Sequence, residues 1–237
     1  NLLSMPIAEQ KEQLDDRQNS QQYIRILFDI IKNVHGDEKL ITWALLYLDG
    51  LIEENRNRIE NLVAIQNSFN PARKLDCIGI LLNFLISNSD NKPYNRNTAS
   101  RVQAMLIEAS GYQNCKDHAI DFMNWIYAFD AKRISASAYT FSILYLVKIN
   151  ELAKEFVELN GINKLIAMLD NQCLGDYHIS YNVLVTLWVL SYHDFAIKHF
   201  ENVDLSLIEK CLKILDFFNK EKVVRITLLL MLNISLT

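Results

Sequence analysis

The chain has 237 residues, half of them hydrophobic and 22% charged, with a formal net charge of −4. That share of apolar side chain excludes a disordered polypeptide, and the mild acidity excludes a protein that coats nucleic-acid phosphates with a basic face. With only 6 glycines and 3 prolines, and with Pro6, Pro71 and Pro93 all in polar stretches, very little of the sequence forbids helix.

The opening, NLLSMPIAEQKEQLDDRQNS, has no basic region leading into an apolar run and does not read as a secretory signal. It reads as a polar arm over residues 1–19, in which Leu2, Leu3, Met5 and Ile7 form a small apolar cluster suited to folding back into a groove. Tyr23, Leu27, Ile30, Ile31 and Val34 then recur at three-and-four spacing and predict a helix over Ser20–Val34. Leu40, Ile41, Ala44, Leu45, Leu48, Leu51 and Ile52 predict a second over Glu38–Asn55, with Asp49, Glu53 and Glu54 read as a solvated face. Further helical patterns cover Arg58–Ile65, Arg73–Ile86, Ala99–Glu108, His118–Phe129 and Ser135–Ile149. The polar stretch NSDNKPYNRNTAS, Asn88–Ser100, holds Pro93 and reads as an exposed loop between repeats.

From Glu155 to His193 the sequence is EFVELNGINKLIAMLDNQCLGDYHISYNVLVTLWVLSYH. A short helix ends near Gly161, a second begins G-I-x-x-L, and after a polar turn a third is apolar almost all round. This resembles the armadillo repeat, and Gly161 is expected to take the positive φ of the turn between the first two helices. The unit recurs as Asp194–Val203, Ser206–Phe218 and Lys220 to the end, with Ile162 and Val203 at equivalent points, an offset of about 41 to 43 residues that suits armadillo and HEAT units. Thr140–Ala153 aligns in turn with Val185–Ala196. The expected fold is all-α, a right-handed superhelical solenoid of armadillo/HEAT-like repeats over residues 20–237. Helices as apolar as Tyr177–Tyr192 need neighbouring repeats to cover them. The sequence stops inside the last such helix without a capping glycine or a polar outer face, so the domain is expected to be truncated at its C-terminal end. The most apolar run, Val223–Leu236, is interrupted by Arg225 and Asn233 and is shorter than the roughly 20 residues of a membrane span.

No phosphate loop, dinucleotide turn, zincin helix or nucleophile elbow is present, so the sequence offers no catalytic residue and no cofactor site. Cys77, Cys115, Cys173 and Cys211 stand far apart and read as buried thiols. Cys115 with His118 supplies two ligands where a structural zinc needs about four, so no metal site is assigned. His178, His193 and His199 fall near turns or helix ends, and the pairs Asp15–Asp16 and Asp49–Glu53 read as solvated charge.

Several ordered landmarks carry a more specific likeness. ITWALLYLDGLIEENRNRI, Ile41–Ile59, with Glu54, Asn55 and Arg58, is similar to an apolar helix running into an E-N-x-x-R segment. DFMNWI, Asp121–Ile126, supplies Asn124, Trp125 and Ile126 of an F-N-W-I element with Phe122 displaced by one position. VTLWVLSYH, Val185–His193, is similar to an I-W-L-L-x-F helix, and NKEKVVRITLLLMLNIS, Asn219–Ser235, to a K-E-K-V-x-R-I helix start. In this order they resemble the N-terminal domain of the H subunit of the vacuolar-type proton-pumping ATPase.

The resemblance implies a non-catalytic regulatory subunit on the cytosolic face of vacuolar or other endomembranes. Its partners would be protein subunits of the pump, chiefly the peripheral stalk, with no nucleic acid and no direct membrane insertion. It would support the coupling of ATP hydrolysis to proton transport. The family's second, C-terminal helical-repeat domain, to which silencing of the detached catalytic sector is largely attributed, is missing from this sequence. The alternative is a free armadillo adaptor that binds extended peptides in a concave groove.

Third helices commonly line that concave face, which makes Trp188 and Tyr192, then Lys222, Arg225 and Asn233, candidate partner-binding residues. Trp188 and Tyr192 can equally be core, and Arg225 can equally cap or pair within its own repeat. Asn83 and Asn233 resemble the asparagines with which peptide-binding armadillo proteins clamp an extended backbone, although Trp and Asn do not recur together here.

Overall fold

A computed structural model of the chain describes residues 17–34, 37–54, 76–87, 93–128, 134–171, 175–201 and 204–236, which form twelve α-helices and no strand. The polar arm to residue 16, the expected helix Arg58–Ile65, Cys173 and Val203 lie outside the described residues. The chain divides into two compact units, residues 1–102 and 103–237.

In the first unit, α1 (Arg17–Asn33) packs on α2 (Glu38–Glu54) and on α3 (Cys77–Ser87). Leu27, Phe28 and Ile31 of α1, Ala44, Leu45 and Leu48 of α2, and Leu81 and Leu82 of α3 are buried at the spacing the sequence shows. Two helices start on aspartate caps, which give a free backbone N–H a charged acceptor. Asp37 Oδ1 accepts from Leu40 N at 3.1 Å, and Asp76 Oδ1 accepts from Gly79 N at 2.8 Å.

The expected loop Asn88–Ser100 is corrected over residues 93–100, while residues 88–92 lie outside the described residues. Helix α4 runs from Pro93 to Ser110, longer at its start than the Ala99–Glu108 pattern. Pro93 occupies the first helical position, where its missing N–H costs nothing and its fixed φ suits the helix. The polar residues that suggested exposure are buried: Asn95, Arg96, Thr98 and Ser100. Thr98 Oγ1 donates to Tyr94 O at 3.2 Å and Ser100 Oγ to Asn97 O at 2.9 Å. Asp49, read as solvated, is instead half-buried and pairs with Arg101 of α4 at 3.6 Å.

In the second unit, Gly111 with φ 74 ends α4 and lets α5 (Tyr112–Tyr127) start at once, six residues before the expected His118. Then follow α6 (Ala136–Leu146), α7 (Asn150–Glu158), α8 (Gly161–Asn171), α9 (Tyr177–Leu190), α10 (Asp194–Glu201), α11 (Asp204–Phe217) and α12 (Glu221–Leu236). Packing advances by three helices at a time: α6 on α9 and α9 on α12, α7 on α10, α8 on α11. The matching helices α6 and α9 start on matching caps. Ser135 Oγ accepts from Ala138 N, and Asp176 Oδ1 accepts from both His178 N and Ile179 N.

Helices α6, α9 and α12 also bury small hydroxyl residues. Thr140, Ser180, Thr186 and Thr227 are fully buried, and each donates to a carbonyl three or four residues back in its own helix. These four hydroxyls are thus satisfied locally, whereas that of Ser142, also fully buried on α6, has no hydrogen-bond partner.

The turn between α7 and α8 also corrects an expectation. The residue with positive φ is Asn160, at φ 65, and not Gly161. Asparagine tolerates the left-handed region because its short amide bonds locally, here by accepting from Asn163 Nδ2. Gly161 serves a different constraint, since a Cβ there would lie 2.4 Å from the ring of Phe156, which is itself fully buried.

Burial also sets the thiols apart. Cys115 and Cys211 are buried while Cys77 is only half-buried, which corrects the uniform reading. Burial pushes the Cys115 thiol up to about 11 and the Cys211 thiol to about 12.

Two results are expected. Gly161→Ala lowers the unfolding free energy by about 1–3 kcal/mol through overpacking against Phe156, whereas Asn160→Gly changes it by less than about 1 kcal/mol; urea midpoints of the two variants check this. In the native protein at pH 8, Cys115 and Cys211 resist alkylation because their thiolates are disfavoured. Denaturant restores their labelling, as peptide mass spectrometry of the alkylated chain will show.

Candidate functional site

Helix α9 buries Ile179, Val183, Leu184, Leu187 and Leu190, and its other face stays half-buried or exposed. At about 100° per residue, Tyr177, Tyr181 and Trp188 fall within about 40° of arc, and Tyr192 follows in the turn after α9. The tyrosines Tyr177 and Tyr181 stack with centroids 6.3 Å apart, and Trp188 meets Tyr192 edge-on at 5.3 Å. Tyr192 is 61% exposed. Trp188 is half-buried, and its indole Nε1 is closed to solvent and has no hydrogen-bond partner.

A short relay fixes this corner. Asn233 Nδ2 of α12 donates to Ser191 Oγ at 3.1 Å, and Ser191 Oγ donates to Trp188 O at 2.7 Å. The structure therefore brings three sequence-predicted residues together, Trp188, Tyr192 and Asn233. Trp188 is neither core nor free surface.

Lys222 and Arg225 lie elsewhere. They sit in the first turns of α12, with Lys222 about 16 Å from Asn233 along the helix axis at about 1.5 Å per residue. Both are exposed, and Arg225 pairs with Glu221 one turn before it, the within-repeat pairing the sequence allowed. Asn83 is exposed on α3 in the first unit.

The landmark motifs divide by role. Trp125 is half-buried against Phe122, their rings stacked at 5.9 Å, while Ile126 is buried and Asn124 exposed. In K-E-K-V-V-R-I, Val223 and Ile226 are buried and Lys220 O accepts from Val223 N at 3.0 Å, so the motif starts a helix and supplies its core edge. The side chains of Glu54, Asn55 and Arg58 lie outside the described residues.

Among the described residues no three His, Cys, Asp or Glu side chains group as a metal site. Cys115 interrupts α5 with non-helical φ and ψ and donates through Sγ to Gly111 O at 3.4 Å. Among the described residues the perturbed cation is Lys164, whose ammonium donates to Tyr127 O and lies 4.4 Å from the Tyr127 ring and 5.2 Å from that of Tyr139. Burial lowers its pKa. Tyr139 shifts upward, chiefly through burial and then through the neighbouring Tyr127 charge. This arrangement joins helices α5, α6 and α8 through a cation held on aromatic faces. No described helix is long and apolar enough to cross a membrane.

One site escaped the sequence reading. A cleft of about 450 Å³ in the first unit is lined by Trp43, Leu46, Tyr94 and Asn95, with Glu38, Lys39 and Thr42. The polarity of residues 88–100 hid Tyr94 and Asn95. A signal was present on α2, where Lys39, Thr42, Trp43 and Leu46 recur at helical spacing on the side opposite the buried stripe.

The family model for the V-ATPase H subunit matches residues 1–236. No curated protein matches the chain, and no solved structure does.

Truncating the α9 corner separates support from surface. Trp188→Ala is expected to cost about 2 kcal/mol of stability, less than a fully buried tryptophan, and Ser191→Ala about 1 kcal/mol for the lost relay. Tyr192→Ala stays within about 0.5 kcal/mol of the parent. Chemical denaturation of the three variants measures this order.

Proposed function

The chain belongs to the V-ATPase H-subunit family, and on that premise we propose that it is a non-catalytic regulatory component of the vacuolar-type proton-pumping ATPase. It binds the peripheral stalk and supports the coupling of ATP hydrolysis to proton transport, on the cytosolic face of the endomembrane that carries the pump. The family match over nearly the whole chain carries this reading and favours a pump component over a free peptide adaptor. The packing of α6, α9 and α12, with α7 on α10 and α8 on α11, supports armadillo/HEAT-like repeats wound into a right-handed solenoid.

The stalk-facing surface is assigned to the corner of Trp188, Tyr192 and Asn233. Aromatic side chains supply large contact area with little entropy to lose, and such residues dominate interface energies. Tyr192 is exposed yet backed by Trp188, and the Asn233–Ser191 relay holds that backing in place before any partner arrives. Lys222 and Arg225, exposed at the far end of α12, act as rim charges that alter salt dependence more than affinity. Asn83 is assigned a separate peripheral contact.

The test is copurification of the chain with purified peripheral-stalk proteins at modest salt. Binding is expected, with Tyr192→Ala weakening it about thirtyfold, as an interface hot spot does, and the double variant Lys222→Ala/Arg225→Ala weakening it less than about threefold at physiological ionic strength. Absence of binding by the folded parent chain would overturn the stalk assignment. Binding that is indifferent to Tyr192→Ala and Asn233→Ala would remove the surface and leave the role in the pump standing.

A further inference from the structure

The turn between α7 and α8 carries a chemically labile dipeptide that its own geometry keeps in place. Asn-Gly occurs once in the chain, at residues 160 and 161. Asn160 is exposed and takes φ 65, a conformation few side chains tolerate. Gly161 is required because a Cβ there would lie 2.4 Å from the buried ring of Phe156. In such a pair the glycine main-chain nitrogen, unhindered by a Cβ of its own residue, attacks the asparagine side-chain amide. Gly161 N loses its proton to hydroxide and bonds to Asn160 Cγ, the Cγ–Nδ2 bond breaks, and ammonia leaves with a proton taken from water. Water then opens the five-membered ring. Cleavage of its side-chain carbonyl bond gives aspartate, and cleavage of its main-chain carbonyl bond gives isoaspartate, whose main chain runs through the former side chain and is longer by a carbon.

The closed turn blocks the first step. The left-handed conformation sets Cβ beside the residue's own carbonyl oxygen, so Gly161 N, on the other side of that carbonyl carbon, faces away from the amide. Closing the ring turns the Asn160 carbonyl by roughly half a revolution about the Cα–C bond. Three hydrogen bonds oppose that rotation. Asn160 N donates to Val157 O at 2.9 Å, Lys164 N to Asn160 O at 3.3 Å, and Asn163 Nδ2 to Asn160 Oδ1 at 2.5 Å. An exposed turn held by a few such bonds opens locally without unfolding the helices beside it. Gly161 is the first residue of α8, so its N–H has no intrahelical acceptor to give up.

We propose that Asn160–Gly161 is a site of spontaneous covalent modification that reacts only while this turn is open, and that its isoaspartate product cannot re-form the turn. An aspartate product keeps the original main chain and puts a charge at the start of α8, where the helix dipole favours it. Isoaspartate inserts a carbon where even a Cβ does not fit beside Phe156. The change therefore loosens α7 and α8, which pack on α10 and α11, and it runs in one direction. It shares no residue with the α9 corner and needs no partner, so it stands or falls independently of the stalk contact.

The test incubates the whole chain at mildly alkaline pH, in buffer and in urea. Peptide mass spectrometry follows the conversion of residue 160, and methylation by an isoaspartyl methyltransferase with S-adenosylmethionine separates isoaspartate from aspartate. The native chain is expected to convert at least about tenfold more slowly than the unfolded chain, as a turn open no more than about a tenth of the time would. Hydrogen exchange of the isoaspartate form should show lost protection in α7 and α8. Asn160→Asp, with the charge but the original chain length, should keep that protection, and Asn160→Gly should accept no methyl group at this turn. Overturning results are equal rates in buffer and urea, no conversion of the native chain over several weeks, full protection of α7 and α8 in the isoaspartate form, or the same loss in Asn160→Asp.

Discussion

Helix α9 is covered on two sides, by α6 and by α12, and the second unit depends on that double burial. A helix with one neighbour needs one apolar stripe, but a helix with two needs a wider one, and Ile179, Val183, Leu184, Leu187 and Leu190 cover about 140° of arc on α9. Its cost is that α9 cannot stand alone. Its benefit is position, because each of the three packed helices rests on the next.

The same three helices bury small hydroxyl residues. Thr186 and Thr227 satisfy themselves within their own helices, so their burial carries no polar penalty. The same logic extends outward. Once the apolar faces of α9 are spent on α6 and α12, the aromatic stripe ending in Trp188 and Tyr192 is what the helix still offers, and Asn233 braces it from the neighbouring helix. Packing and surface are therefore two uses of one helix.

Periodicity made α1, α2, α9 and α12 legible, since apolar stripes are written directly in residue spacing. It failed where polar residues are buried. Asn95, Arg96, Thr98 and Ser100 look like loop residues, yet α4 takes them inside because hydroxyls bond to its own carbonyls and Asn95 pairs with Thr42. Gly161 was recognised as necessary for the wrong reason, because the ring of Phe156 that forbids a Cβ there is a contact that spacing does not reveal. At the α9 corner the sequence supplied Trp188, Tyr192 and Asn233, but their meeting depends on how α12 lies on α9. Lys222 and Arg225 share α12 with Asn233 and still fall about three turns and two turns away.

Hydrogen exchange in Leu187→Ala tests the double burial most directly, since Leu187 is fully buried on α9. If α9 couples its neighbours, peptides from α6, α9 and α12 lose protection together and by a common free energy. A loss confined to α9, with α6 and α12 as protected as in the parent chain, would contradict the account.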